Sequence, residues 1–284
     1  IRSYMDEEFN APKDFDQLLY LSQVQQALGL KMAFEAHRKA MPFCMGTLYW
    51  QLNDTWPAAS WSGIDYYGRW KALHYQAKRS FGQQLLVLDQ VNDQLEVTLV
   101  SDDLQPFSAQ LHIQVYDFDG SVVYSHEQDV LVPGNASLSL ASLAVSELVS
   151  QAQQRGAVLV ARLIHQDGRV LSQNSHFFVA NKDLALKPAD IQCEQVISPE
   201  CLTLRFSSDN FVRQLYVSVG EQVSNFSDNF FDLIPGIDVS IHLALPGMKQ
   251  QEIERLGAKV GWQSLLDSFA SLSNEHRNIA GLLQ

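Results

Sequence analysis

Between Asp14 and Ala40 the apolar positions recur at helical spacing. Phe15, Leu18, Leu19, Leu21, Val24, Leu28, Met32 and Phe34 hold a roughly helical period. The spacing predicts one long helix. Asp14 stands three residues before Gln17, which suits a capped start, and Pro42 forbids continuation. Ahead of it Glu7, Glu8, Asn10 and Pro12 break every period, so residues 1–13 read as loop. Past Pro42 the texture changes. Gly46–Leu52 reads as a strand, and Asn53, Asp54, Pro57, Ser60 and Gly63 mark a long loop. Trp70, Leu73, His74 and Ala77 then form a helical stripe between Arg69 and Phe81.

From about Gln83 short β-rich runs alternate with turns. They are Leu95–Val100, Ala109–Val115, Val122–Tyr124, Val158–Ile164 and His176–Val179, with hairpin signals at Asp117–Gly120 and Gln166–Gly168. Regular short strands of this kind predict a β-sandwich. Asn181–Asp190, with Pro188, reads as a linker. A second set follows at Leu202–Phe206, Gln214–Val219, Phe230–Leu233 and Val239–Leu243 and predicts another small sandwich. Glu252–Leu256 fits a helical turn. Trp262–Leu266 fits a closing strand or a helix, and the tail from Ser273 is polar.

Composition narrows the classes. The 284 residues have room for two or three domains, and 46% hydrophobic residues are enough for real cores. A net charge of −12 repels a phosphate backbone, so nucleic acid is not an expected partner. No apolar run reaches the ~20 residues that span a bilayer. The histidines are scattered without metal spacing and no phosphate-binding glycine loop is present, so neither metal nor cofactor is expected. Cys193 and Cys201 flank a turn signal at Ser198-Pro199 and are close enough in sequence to pair; free thiols are the expectation. Ile1 reads as the interior of a longer protein.

Four of the five tryptophans, Trp50, Trp56, Trp61 and Trp70, fall within residues 46–75. A strand, a loop rich in aromatic and polar groups and a helix make a βα unit of the kind whose loop carries chemistry in α/β barrels. The run Tyr49-Trp50-Gln51-Leu52-Asn53-Asp54, the pair Trp56-Pro57 and the run Tyr66–Lys71 resemble the last βα unit of the catalytic barrel in β-mannosidases of glycoside hydrolase family 2. Phe226–Gly236 resembles a signature of the terminal sandwich in the same family.

The resemblance implies the end of a (β/α)8 barrel at residues 1–82 and immunoglobulin-like β-sandwiches at 83–185 and 186–284. It also implies retaining hydrolysis of terminal β-mannosyl residues, with a mannose-containing oligosaccharide as partner. The family's nucleophile and acid/base are glutamates on earlier barrel strands. Neither is expected here, so no catalytic residue is assigned and the chain alone is expected to be inactive. The resemblance further implies a cis peptide between Trp50 and Gln51.

The candidate substrate-binding residues are Trp50, Asn53, Asp54 and Trp56. An indole covers the C–H face of a pyranose while neighbours bind its hydroxyls. Each also has a plainer role: Trp50 as core, Asn53 and Asp54 as turn formers, Trp56 as packing under the loop. Close alternatives in activity are β-galactosidase or exo-glucosaminidase. A rival of another class is a non-catalytic carbohydrate-binding or scaffolding protein built from the sandwiches.

Overall fold

A computed structural model describes residues 2–220 and 225–270. Helices α1 (Arg2–Glu8), α2 (Phe15–Lys39) and α3 (Ala72–Ser80) come first. The α2 start is capped as its sequence asks, with the Gln17 amide donating to the Asp14 carboxylate at 2.9 Å. Its last turn holds His37, Arg38 and Lys39, which suit the negative end of the helix. Tyr20, Leu21, Val24, Ala27 and Phe34 are buried, whereas Phe15, Leu19 and Met32 of the same apolar pattern stay exposed.

Seven strands follow: β1 (Gln84–Val91), β2 (Gln94–Ser101), β3 (Phe107–Asp117), β4 (Val122–Val132), β5 (Ala136–Ala144), β6 (Ala157–His165) and β7 (Val170–His176). A short helix, α4 (Val145–Leu148), precedes β6. They make an antiparallel sheet β1-β2-β5 facing a four-stranded sheet β4-β3-β6-β7. In β3 the residues Ala109, Leu111, Ile113 and Val115 point into the shared core, and Gln110, His112 and Gln114 alternate with them.

The second sandwich holds β8 (Ile191–Ser198), β9 (Cys201–Ser208), β10 (Val212–Val219), β11 (Phe231–Leu233), β12 (Val239–Ala244) and β13 (Val260–Gln263). Its sheets are β12-β9-β8 and β11-β10-β13, closed at one end by α5 (Gln250–Gly257), with α6 (Leu265–Ser268) after β13. Leu202, Leu204, Phe206, Leu215, Val217 and Phe226 fill its centre. Burying a side chain the size of Phe206 contributes about 2–3 kcal/mol.

The three parts are packed on one another. Phe118, beside the β3–β4 turn, stacks on Phe211 at 4.4 Å, and the Phe211 amide donates to the Phe118 carbonyl at 2.9 Å. Gly120 in that turn has φ +92°, and a Cβ there would meet Pro235 at 2.8 Å, so only glycine fits. Against the helices, Phe230 packs on Tyr20, Tyr75 and Tyr216. Arg213 is buried, grips Asp232 with bonds of 2.9 and 2.7 Å, donates to Asn181 at 3.0 Å, and lies 4.0 Å from the Phe177 ring centre. On the other side Glu35 of α2 joins Lys31 at 2.8 Å and accepts from Asn174 of β7 at 2.9 Å.

Several expectations need correction. Residues 2–8 are helical, because Met5 and the following Phe9 bury against α2; Glu8 accepts from the Asn181 amide at 3.1 Å. Gly46–Leu52 forms no strand: it has no regular structure, bends at Trp50 and Leu52, and pairs only through the Gln51 and Leu52 carbonyls with the Gly63 and Ile64 amides. Sequence also passed over β1, β5 and β8, while Phe177–Val179 lies outside β7. Residues 260–268 divide into a strand and then a short helix. Cys193 and Cys201 are free thiols; the ladder sets them against Phe206 and Ser198, not against each other. The tail from Ser273 lies outside the described residues.

Candidate functional site

The segment from residue 43 to 71 is held by single bridges instead of ladders. Asn53 bridges Ile64 in parallel, and Ile64 bridges Trp70 antiparallel. The Gly63 and Ile64 amides donate to the Gln51 and Leu52 carbonyls, both at 2.9 Å. The Asp54 amide returns a bond to Ile64 at 3.1 Å, and the Lys71 amide donates to Gly63 at 2.9 Å. Asp65 builds the turn between them. Its Oδ1 accepts from the Tyr67 and Arg69 amides, each at 2.9 Å, and its Oδ2 takes Arg69 Nε at 2.6 Å. Gly68 completes this turn at φ +83°.

Inside the loop a compact polar network surrounds Asp54. Ser60 Oγ donates to Asp54 Oδ1 at 2.5 Å and Ser62 Oγ to Oδ2 at 2.7 Å. Lys71 Nζ reaches Ser62 Oγ at 2.8 Å and Asp54 Oδ2 at 3.4 Å. The Ser60 and Ser62 hydroxyls, helped by the Lys71 charge, hold the Asp54 carboxyl below the usual carboxylate range against the opposing effect of burial.

The tryptophans behave in the opposite way. Trp50, Trp56 and Trp61 are 74%, 69% and 70% exposed, and Leu48, Leu52, Tyr66 and Tyr67 are exposed beside them in sequence. Tyr49 turns inward and meets Phe34 edge-on at 5.9 Å. The Trp50–Gln51 peptide is cis, as the resemblance implies.

Of the four residues expected to contact substrate, Trp50, Asn53 and Trp56 are exposed in this chain. Asp54 differs from them: it is 8% exposed, with both oxygens engaged by its own loop. Trp61 and Lys71 were missed as candidates. The crowding of tryptophans could have flagged Trp61, whereas nothing local pairs Lys71 with Asp54. Both carboxylates of the segment, Asp54 and Asp65, are engaged in loop structure. Among the described residues no cluster of His, Cys, Asp and Glu could hold a metal ion, and no helix is long and apolar enough to cross a membrane.

A family profile described as a mannosidase Ig/CBM-like domain matches residues 93–183, and a second, described as an Ig-fold domain, matches residues 186–268. The β-mannosidase of Capra hircus is 31% identical over 242 residues, 78% of this chain and 28% of the relative. β-Mannosidase A of Neosartorya fischeri is 29% identical, covering 81% of this chain and 27% of the relative. The chain therefore spans little more than a quarter of these relatives. Among solved structures, the β-D-mannosidase of Dictyoglomus thermophilum superimposes with a TM-score of 0.81 at 27% identity, over 92% of this chain and 31% of that one. The exo-chitosanase of Amycolatopsis orientalis shares the fold, with a TM-score of 0.69 at 16% identity. The chain belongs with the C-terminal portion of the β-mannosidases of glycoside hydrolase family 2.

Proposed function

We propose that this chain is the C-terminal part of a retaining exo-β-mannosidase that removes terminal β-mannosyl residues from oligosaccharides. Residues 1–82 complete the last βα unit of the catalytic barrel, and residues 83–185 and 186–284 are its immunoglobulin-like sandwiches. The two catalytic glutamates belong to the polypeptide before Ile1. One protonates the leaving oxygen, and the other forms the glycosyl-enzyme that water then releases. Trp50 is the apolar platform under the sugar ring, with Asn53 and Trp56 at its margin. Asp54 acts behind them by holding the loop.

The observation that carries the reading is the match of most of the chain to proteins named β-mannosidases, in sequence and in fold, with the tryptophan-rich run at residues 46–75 beside it. The test compares aryl β-mannoside hydrolysis by the full-length gene product and by residues 1–284 alone. Turnover by the first and none by the second is expected. Faster turnover of the matching β-galactoside or β-glucosaminide would overturn the substrate assignment, and hydrolysis by the isolated chain would overturn the placing of the glutamates.

A further inference from the structure

The sugar-facing reading leaves the Phe226–Gly236 motif unused, although the sequence marks it as clearly as the tryptophan loop. Its structural role begins one residue earlier, at Asn225. The Asn225 Oδ1 accepts from the Trp70 amide at 3.1 Å, and its Nδ2 donates to the Gly68 carbonyl at 3.0 Å. One side-chain amide thus clamps both limbs of the Asp65–Trp70 turn, and only an amide supplies a donor and an acceptor in this arrangement.

The clamp is anchored on both sides. Asn229 is buried against β10, accepting from the Val217 amide and donating to the Val217 carbonyl, both at 2.8 Å. Arg79 of α3 reaches Asp228 at 2.7 Å and also donates to the Asn229 carbonyl, while Lys78 donates to Ser227 at 2.6 Å. From the clamped Trp70, hydrogen bonds continue in sequence. Lys71 binds Gly63, and Gly63 binds the Gln51 carbonyl, the group next to Trp50. A single bonded path therefore runs from a central strand of the terminal sandwich to the peptide that carries the tryptophan platform.

We propose that Asn225 is a positioning residue, through which the terminal sandwich sets the place of the Trp50 loop in the sugar pocket. The proposal rests on the mannosidase reading for its sugar and on the hydrogen bonds for its mechanics, and the two parts are tested separately. Hydrogen exchange on the full-length protein reads the mechanics. Asn225→Ala should raise exchange at the Asp54, Gly63, Ile64 and Lys71 amides about tenfold, with β3 and β9 unchanged as the folding control. Asn225→Asp, which keeps the acceptor for Trp70 but loses the donor to Gly68, should fall between Ala and the native residue. Unchanged exchange across residues 51–71 in Asn225→Ala would overturn the clamp.

Kinetics of the full-length protein read the function. Asn225→Ala should raise KM for an aryl β-mannoside about tenfold with kcat within about threefold, since it misplaces a binding surface and leaves the reacting groups alone. Unchanged KM and kcat would overturn the role in the pocket. A native protein without β-mannosidase activity would sink the sugar assignment, and exchange would then decide the clamp alone.

Discussion

In the first sandwich, Leu111, Ile113 and Val115 alternate with polar neighbours and all three are covered by the facing sheet. In residues 43–67 an equally apolar set, Phe43, Leu48, Trp50, Trp56 and Trp61, lies mostly in the open. Both regions are rich in hydrophobic residues, but only one spends them on its own core. The sandwich holds its strands with continuous ladders. The tryptophan segment is held by isolated bridges, an internal Asp54–Ser60–Ser62–Lys71 network, and a clamp from a distant domain. Its backbone is fixed by polar contacts, and its apolar side chains are open in a chain that spans little more than a quarter of its relatives.

Substitutions should separate the two regions sharply. Phe206 is fully buried in the second sandwich, so Phe206→Ala should cost about 4 kcal/mol through lost burial and the cavity it leaves, read from urea unfolding. Arg213→Ala should cost about 3 kcal/mol, because Asp232 then stays largely buried without its partner. Restoring a neutral pair with Asp232→Asn in the same chain should recover part of that loss.

A smaller effect appears with pH. Burial first, and Lys31 second, push the His176 imidazole down to about 4, with Asp89 opposing; its ring bonds Gln90 at 2.7 Å. In the unfolded chain the same ring titrates near ~6.5. Between those values the unfolded state binds more protons. This contribution to stability is therefore whole above ~6.5 and is lost as pH falls toward about 4. His176→Gln should flatten the dependence in that window, measured as the urea midpoint at successive pH values. An unaltered slope would show that other groups carry it.

The sandwiches were legible wherever alternation was strong, as in Ala109–Val115 and Leu202–Phe206. β1 was missed because five consecutive residues, Gln84–Leu88, are buried and no alternation shows. β5, written Ala-Ser-Leu-Ser-Leu-Ala-Ser-Leu-Ala, lacks the β-branched and aromatic residues that mark a strand, and polar β8 lies at a sheet edge. The tryptophan loop was legible from its composition and motifs, but its internal order was not. Lys71 meets Asp54 across 17 positions and Asn225 meets Gly68 across 157, and no local pattern encodes such pairs. The same gap hid the burial of Asp54, since the serines that enclose it are recognisable only once the loop is folded.

The central claim is that Trp50 is retained for a ligand and not for the core. The most direct measurement takes kcat/KM for an aryl β-mannoside and the urea midpoint together, for native and Trp50→Ala full-length protein. The account predicts at least about a tenfold fall in kcat/KM, or ~1.4 kcal/mol of transition-state binding, with stability changed by less than about 0.5 kcal/mol. Unchanged kcat/KM accompanied by a stability loss of the size expected at Phe206 would contradict it and make Trp50 a packing residue.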